Sequence, residues 1–148
     1  MATTTFYTDT TQAMSLERNQ PFIIKKTIDL SLSVTAGTTD TITALNIPKG
    51  VFVHKVGVHV VTVSTGTADI DSVGDGDDPN GWIDADIELT STANNSIISI
   101  PTDAYPVLGG KLYLVADTID LLMKTAVTTN GTIEVWALCH MMDNLYSA

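Results

Sequence analysis

The sequence predicts an all-β fold, an antiparallel β-sandwich with jelly-roll-like connections and an extended N-terminal arm. Three observations carry that reading. Apolar and polar residues alternate in several short runs, turn residues separate those runs, and no segment sustains a 3.6-residue apolar period. The chain has 148 residues, 44% of them hydrophobic, and a mean hydropathy of +0.20. A domain of that size buries roughly 70% of the surface its unfolded chain exposes, so it needs no staple.

Residues 1–20 (MATTTFYTDTTQAMSLERNQ) hold few apolar side chains and show no period, which predicts an arm, with residues 21–148 forming the sandwich. Phe6, Tyr7 and Met14 are the arm's candidate contacts with a neighbouring subunit. From Thr27, Ile28, Leu30, Leu32 and Val34 alternate with Asp29, Ser31, Ser33 and Thr35, the signature of a half-buried strand. Residues 36–40 read as a turn, Thr41 to Ile47 as a second strand, and Pro48-Lys49-Gly50 as its end. Val51 to Val63 is rich in valine, which packs well on a pleated surface and loses rotamer freedom in helices.

Thr67 to Val73 predicts a short strand that leads into the loop Gly74 to Gly81 (GDGDDPNG), and Trp82 to Leu89 alternates again. Ile97, Ile98 and Ile100 form a run ending at Pro101, and Lys111 to Ala116 and Thr118 to Lys124 follow a Pro- and Gly-containing loop. Asn130-Gly131 accepts the positive φ angles of a hairpin turn and introduces a last strand, Thr132 to His140. About eight or nine strands with no intervening helix exclude a βαβ unit and leave a sandwich, and the long connections favour the jelly roll over the Ig-like order.

Composition narrows function. A formal charge of -10 with seven basic residues repels a phosphate backbone, so nucleic-acid binding is not expected. The longest apolar run, Val51 to Val63, is interrupted by His54, Lys55 and His59 and falls short of the roughly 20 residues of a membrane helix. The N-terminus lacks the apolar stretch of a signal peptide. The single cysteine, Cys139, excludes an intramolecular disulfide and reads as a small buried hydrophobe.

Candidate chemistry centres on the acids between Asp69 and Glu88. Carboxylates at alternating spacing suit Ca²⁺, with Asp75, Asp77 and Asp86 at positions one, three and twelve of an EF-hand frame. Pro79 and Asn80 break that frame where it needs an oxygen ligand and a glycine, so a solvated acidic loop is the simpler reading. The same acids could be paired for glycoside hydrolysis only if two faced one another across a cleft, which spacing alone does not establish. Trp82 beside the loop is either a core or interface anchor or a ring for stacking on a sugar. His54 and His59 point to opposite faces of an unbroken strand, as do Cys139 and His140, so neither pair makes a metal clamp or a dyad unless a bulge intervenes. No G-x-S-x-G elbow or phosphate-binding loop is present. The residues therefore predict a protein that is not an enzyme and uses no cofactor.

The stretch TADIDSVGDGDDPNGWIDAD (67–86) is followed in order by Gly110-Lys111-Leu112-Tyr113, by Ala116-Asp117-Thr118-Ile119-Asp120-Leu121 and by Asn130-Gly131-Thr132-Ile133-Glu134-Val135. Over about Lys26 to Cys139 this order resembles a family of small structural proteins of tailed bacteriophages. The resemblance implies a capsid decoration or cement protein, made in the host cytoplasm and carried on the outer surface of the virion head. It implies a jelly-roll-like sandwich, often trimeric, that binds the major capsid protein and its own copies and brings no catalytic residues. Broad, weak contacts repeated over a lattice become strong through multivalency, and an arm adds area without enlarging the core. The alternative is a tail or fibre component that binds host-surface glycans through Trp82, with Ca²⁺ at the acidic loop.

Overall fold

The computed structural model describes residues 20–31, 40–65, 69–90, 96–98, 102–124 and 130–142. The arm residues Phe6, Tyr7 and Met14 lie outside them. The strands are β1 (Phe22–Asp29), β2 (Thr41–Ile47), β3 (Val51–Thr62), β4 (Asp69–Gly74), β5 (Ile87–Glu88), β6 (Ser96–Ile98), β7 (Lys111–Leu112), β8 (Asp117–Lys124) and β9 (Thr132–Met141). A 3₁₀ turn, Pro106–Leu108, precedes β7, and no α-helix occurs among the described residues.

Two antiparallel sheets form the sandwich. One has the order β1-β9-β3-β6, with β7 pairing β3 beside β6, and the other has the order β2-β8-β4-β5. The logic is that of nested pairs: β1 with β9, β2 with β8, β3 with β6 and β4 with β5. Laying alternate pairs into opposite sheets rolls one long antiparallel ribbon into a jelly roll. The expected all-β antiparallel sandwich is what the described residues form, and the expected arm lies outside them.

Alternation decides which face each strand buries. Ile133, Val135, Ala137 and Cys139 of β9 point inward with Ile24 and Ile28 of β1 and Val53, Val56, Val58 and Val60 of β3. Ile119, Leu121 and Met123 of β8 meet them from the other sheet with Leu45, Ile47, Ile70 and Val73. Bulges break the register at Val53/Lys55 in β3, at Thr43/Leu45 in β2 and at Ile70/Ser72 in β4. A bulge sets two residues against one and restores the inward face after a lapse in the alternation.

Several boundaries differ from the sequence expectation. The first strand begins at Phe22 and ends at Asp29, because Phe22, Ile24 and Ile28 supply its buried face beside β9 and Leu30 already belongs to a turn. Leu32 and Val34 lie outside the described residues. Trp82 to Leu89 forms only the short β5, since Ile83 pairs in an isolated bridge with Val73 before the chain turns. The strand expected over 111–116 stops at Leu112, and Leu114 and Val115 are exposed on the turn that follows. The hairpin expected at Asn130-Gly131 does not form, because β8 and β9 lie in different sheets, although Gly131 has φ 105°, a backbone region that favours glycine. The Asn130 Oδ1 accepts the Thr65 N–H at 2.9 Å and so holds two loops together.

Candidate functional site

The polar centre of the molecule is Asp75, which opens the acidic loop at the end of β4. Its side chain is fully shielded from solvent. The loop closes on itself, with the Asp75 N–H donating to the Asp78 carbonyl at 3.0 Å. The Asp75 Oδ1 in turn accepts the backbone N–H groups of Asp77 and Asp78, both at 3.1 Å. The segment before and after β7 supplies the rest. Tyr105 donates to Oδ1 at 2.8 Å, Tyr113 to Oδ2 at 2.7 Å, and the Lys111 ammonium to Oδ2 at 2.7 Å and to Asp77 at 2.9 Å. The Trp82 indole N–H donates to the Tyr113 hydroxyl at 3.0 Å, and the Trp82 ring meets Tyr105 edge-on at a centroid distance of 5.1 Å.

Burial raises the Asp75 pKa, but hydrogen bonds from Lys111, Tyr113, Tyr105 and the loop backbone outweigh it and hold the carboxyl below its ordinary value. For Tyr105, burial leads and the neighbouring carboxylate adds, so that its hydroxyl is pushed up to about 12. Burial and Asp75 push Tyr113 up as well. Lys111 is raised because its carboxylate and hydroxyl partners outweigh its own desolvation. Each group is thereby locked in its ordinary protonation state. A carboxylate saturated by donors, facing phenols that keep their protons, has neither a free lone pair nor a proton to exchange near pH 7.

The metal candidates sort differently from the sequence expectation. Carboxylate oxygens of Asp75, Asp77 and Asp117 lie within 4.8 Å of one another, whereas Asp86 is drawn away to Lys124 at 2.6 Å. Within the triad, the ammonium of Lys111 already bonds two of the three acids. Trp82, expected as a core or interface anchor or a sugar-stacking ring, is fully buried in the core against Tyr105. The other acids of this region, Asp84 and Asp86, are exposed and line a shallow groove of about 300 Å³ with Asp71, Ser72, Pro79 and Asn80.

The histidines are also rearranged. The bulge at His54 and Lys55 reverses the parity of β3, so that His59 faces Glu134 on the outer side of the sheet instead of alternating away from His54. His54 lies 5.9 Å from His140 between ring centroids and 4.7 Å from Phe52. Burial, and then His140, pull its pKa below the ordinary value. Cys139 points into the core away from His140, as the alternation requires, and burial pushes its thiol up to about 12. The sequence reading missed the network of Tyr105, Lys111 and Tyr113. Its signal was a lysine between two tyrosines, brought after a Pro-containing loop to an otherwise acidic region.

Neither a scan against protein-family models nor a search of curated proteins finds a match. Solved structures do match in fold. A chain in the Cyanophage Pam1 capsid asymmetric unit is similar with a TM-score of 0.62 and 16% identity, covering 83% of this chain and 86% of that one. A chain in the acidic stable capsid structure of Helicobacter pylori bacteriophage KHP30 is similar with a TM-score of 0.56 and 15% identity, covering 84% and 90%. At these identities the likeness is one of fold.

Proposed function

We propose that the chain is a structural protein of a tailed-phage virion, a capsid decoration or cement protein bound to the outer surface of the head. The observation that carries this reading is the correspondence of the jelly roll, over 83–84% of this chain, to chains within two phage capsids. The resemblance of residues 67–86, 110–121 and 130–135 to small phage structural proteins supports it independently. The chemistry agrees with a role that is not enzymatic, because Asp75 is saturated by donors and Cys139 is buried. In this reading the partners are the major capsid protein and further copies of the chain, and Phe6, Tyr7 and Met14 of the arm reach onto a neighbour. An arm of nineteen or so residues spans up to roughly 60 Å when extended, well beyond the radius of its own domain.

The glycan-binding alternative loses support at both of its carriers, since Trp82 is buried and Lys111 occupies the acidic centre. The test is add-back to heads that lack the protein. Full-length chain is expected to bind and to raise the temperature at which heads rupture. A variant without residues 1–20 is expected to keep its circular dichroism spectrum and melting transition but not to bind. Reconstruction of the particle with this mass on the tail, or no binding of the full-length chain, overturns the proposal.

A further inference from the structure

One end of the β1-β9-β3-β6 sheet carries two imidazoles on its outer side. Val51 and Val53 of β3 are buried, so Phe52 and His54 alternate outward, and Cys139 and Met141 of β9 are buried, so His140 does the same. The ladders set His140 beside Phe52, and Phe52 beside Leu112 of β7, which leaves His54 on the diagonal from His140. The two imidazole centres are 5.9 Å apart, with their planes inclined at 48°. Phe52 meets the His54 ring edge-on at 4.7 Å between centroids and so restrains its orientation.

Imidazole nitrogens are the donors that Zn²⁺, Cu²⁺ and Ni²⁺ take readily. Each binds such an ion at about 2.0–2.1 Å, so two rings sharing one ion have centres roughly 4.5–6.4 Å apart as the angle between them opens from about 90° to 180°. The separation of 5.9 Å lies inside that range, and a tetrahedral angle requires an approach of only about 0.7 Å. The electrostatics agree with the geometry. Burial, and then His140, hold the His54 pKa below its ordinary value, so this ring is neutral and keeps a nitrogen lone pair near pH 7. Among the described residues neither ring enters a salt bridge. Lys55 follows His54 on the outer side, but its side chain is exposed, where solvent and salt screen its charge.

We propose that His54 and His140 form a binding site for a divalent transition-metal ion of the zinc and copper class, with water in its remaining positions. The site joins β3 to β9, the two inner strands of their sheet. A bound ion therefore ties together strands that are far apart in the sequence, and it stabilises the folded chain because the unfolded one does not hold the two rings together. The acidic centre at Asp75 differs in kind. Carboxylates suit Ca²⁺ and imidazoles suit softer ions, and at Asp75 the ammonium of Lys111 already supplies the positive charge. The inference does not depend on the proposed place of the chain in a virion.

The test uses the purified full chain, stripped with chelator and titrated with Zn²⁺ by calorimetry near neutral pH. Wild type is expected to bind one ion per chain and to melt at a higher temperature with Zn²⁺ than with chelator. His54→Ala and His140→Ala are each expected to weaken binding at least about tenfold and to lose the shift in melting temperature, since each removes half of the protein's ligands. His59→Ala, further along the same strand, and Asp77→Asn, in the acidic loop, are expected to bind as wild type does. Circular dichroism checks that each variant is folded. Cu²⁺ on the unaltered chain is expected to show coupling to two imidazole nitrogens in its electron paramagnetic resonance spectrum, a reading that needs no variant to fold. No binding of Zn²⁺ below millimolar concentration, or binding that either folded histidine variant leaves unchanged, overturns the proposal. So does binding lost in folded His59→Ala or Asp77→Asn, or a Cu²⁺ spectrum with fewer than two nitrogens. Half an ion per chain also overturns it, by assigning the metal to a contact between two copies.

Discussion

The ammonium of Lys111 stands 2.7 Å from Oδ2 of Asp75, a carboxylate whose side chain is wholly withdrawn from solvent. The same ammonium lies over the rings of Tyr105 and Tyr113, at 4.5 and 4.8 Å from their centroids. One lysine thus compensates the acidic loop, ties it to β7 and lies on the two phenols that close the site. The charge that a bound cation would supply to this triad comes instead from the chain itself.

Replacing Lys111 with Met is therefore expected to destabilise the fold by about 3 kcal/mol, the usual loss when one partner of a buried pair is removed. The remaining donors from Tyr105, Tyr113 and the loop backbone keep the loss from being larger. Urea denaturation read by tryptophan fluorescence measures it. Because the lysine supplies the positive charge, the wild-type melting curve is expected to be the same in millimolar Ca²⁺ and in chelator. A Ca²⁺-dependent rise in the melting temperature would show that metal displaces the lysine.

Asp75 also sets a pH dependence. Its folded pKa lies below the ordinary 3.8, so the folded state holds the proton less tightly than the unfolded chain. The stabilisation is present in full above the unfolded value and is lost as pH falls through 3.8 toward the lower folded value. Asp75→Asn is expected to remove that contribution at neutral pH and to flatten the acid limb of a plot of stability against pH. An acid limb that is equally steep in the variant would place the effect elsewhere.

Asp120 has the opposite sign. It lies opposite Gly74 in the ladder between β4 and β8, and its Oδ1 is buried with no hydrogen-bond partner among the described residues. Burial raises its pKa first, and Asp117 and Asp75 add to the rise against hydrogen bonds from Thr118 and Thr43. Its negative charge therefore costs stability above the raised folded value, and the cost disappears as pH falls through that value. Asp120→Asn is expected to stabilise the protein by up to about 1 kcal/mol at neutral pH, with no gain below pH about 3. Thermal melts of both proteins across that range decide it.

The parts of this molecule that were legible in the sequence are those governed by one strand at a time. The inward residues of β8 and β9 follow a strict period of two and Gly131 takes a positive φ, because both depend only on local backbone chemistry, whereas the hairpin expected there fails because β8 and β9 join different sheets. Phe22–Lys26 escaped notice because Ile23-Ile24 and Lys25-Lys26 are doublets, and only the ladder to β9 reveals which of each faces the core. The bulge at His54 has no mark in the sequence, yet it decides which face His59 occupies. Asp75 read as one more solvated acid, since its burial depends on Tyr105, Lys111 and Tyr113 arriving from thirty or more residues away in the chain. Trp136 alternates outward between Val135 and Ala137 of β9, and its packing rests on a glycine in a different strand, Gly57, where a Cβ would lie 2.4 Å from the ring.

Cys139 provides a probe of the core those strands enclose. Its side chain lies on the inward face of β9, opposite Phe22 of β1 and Val53 of β3, and burial pushes the thiol up to about 12. Both the low thiolate fraction and the lack of access protect it, because the thiolate is the nucleophile in exchange with a disulfide reagent. In native buffer the thiol is expected to be inert to an aromatic disulfide reagent at pH 8, and in denaturant to react fully. Over intermediate urea concentrations its rate is expected to follow the global unfolding equilibrium, since β9 lies between β1 and β3 and cannot open without parting the sheet. A rate independent of urea at low concentration would instead identify local fraying at Phe22, the end of β1 that covers it.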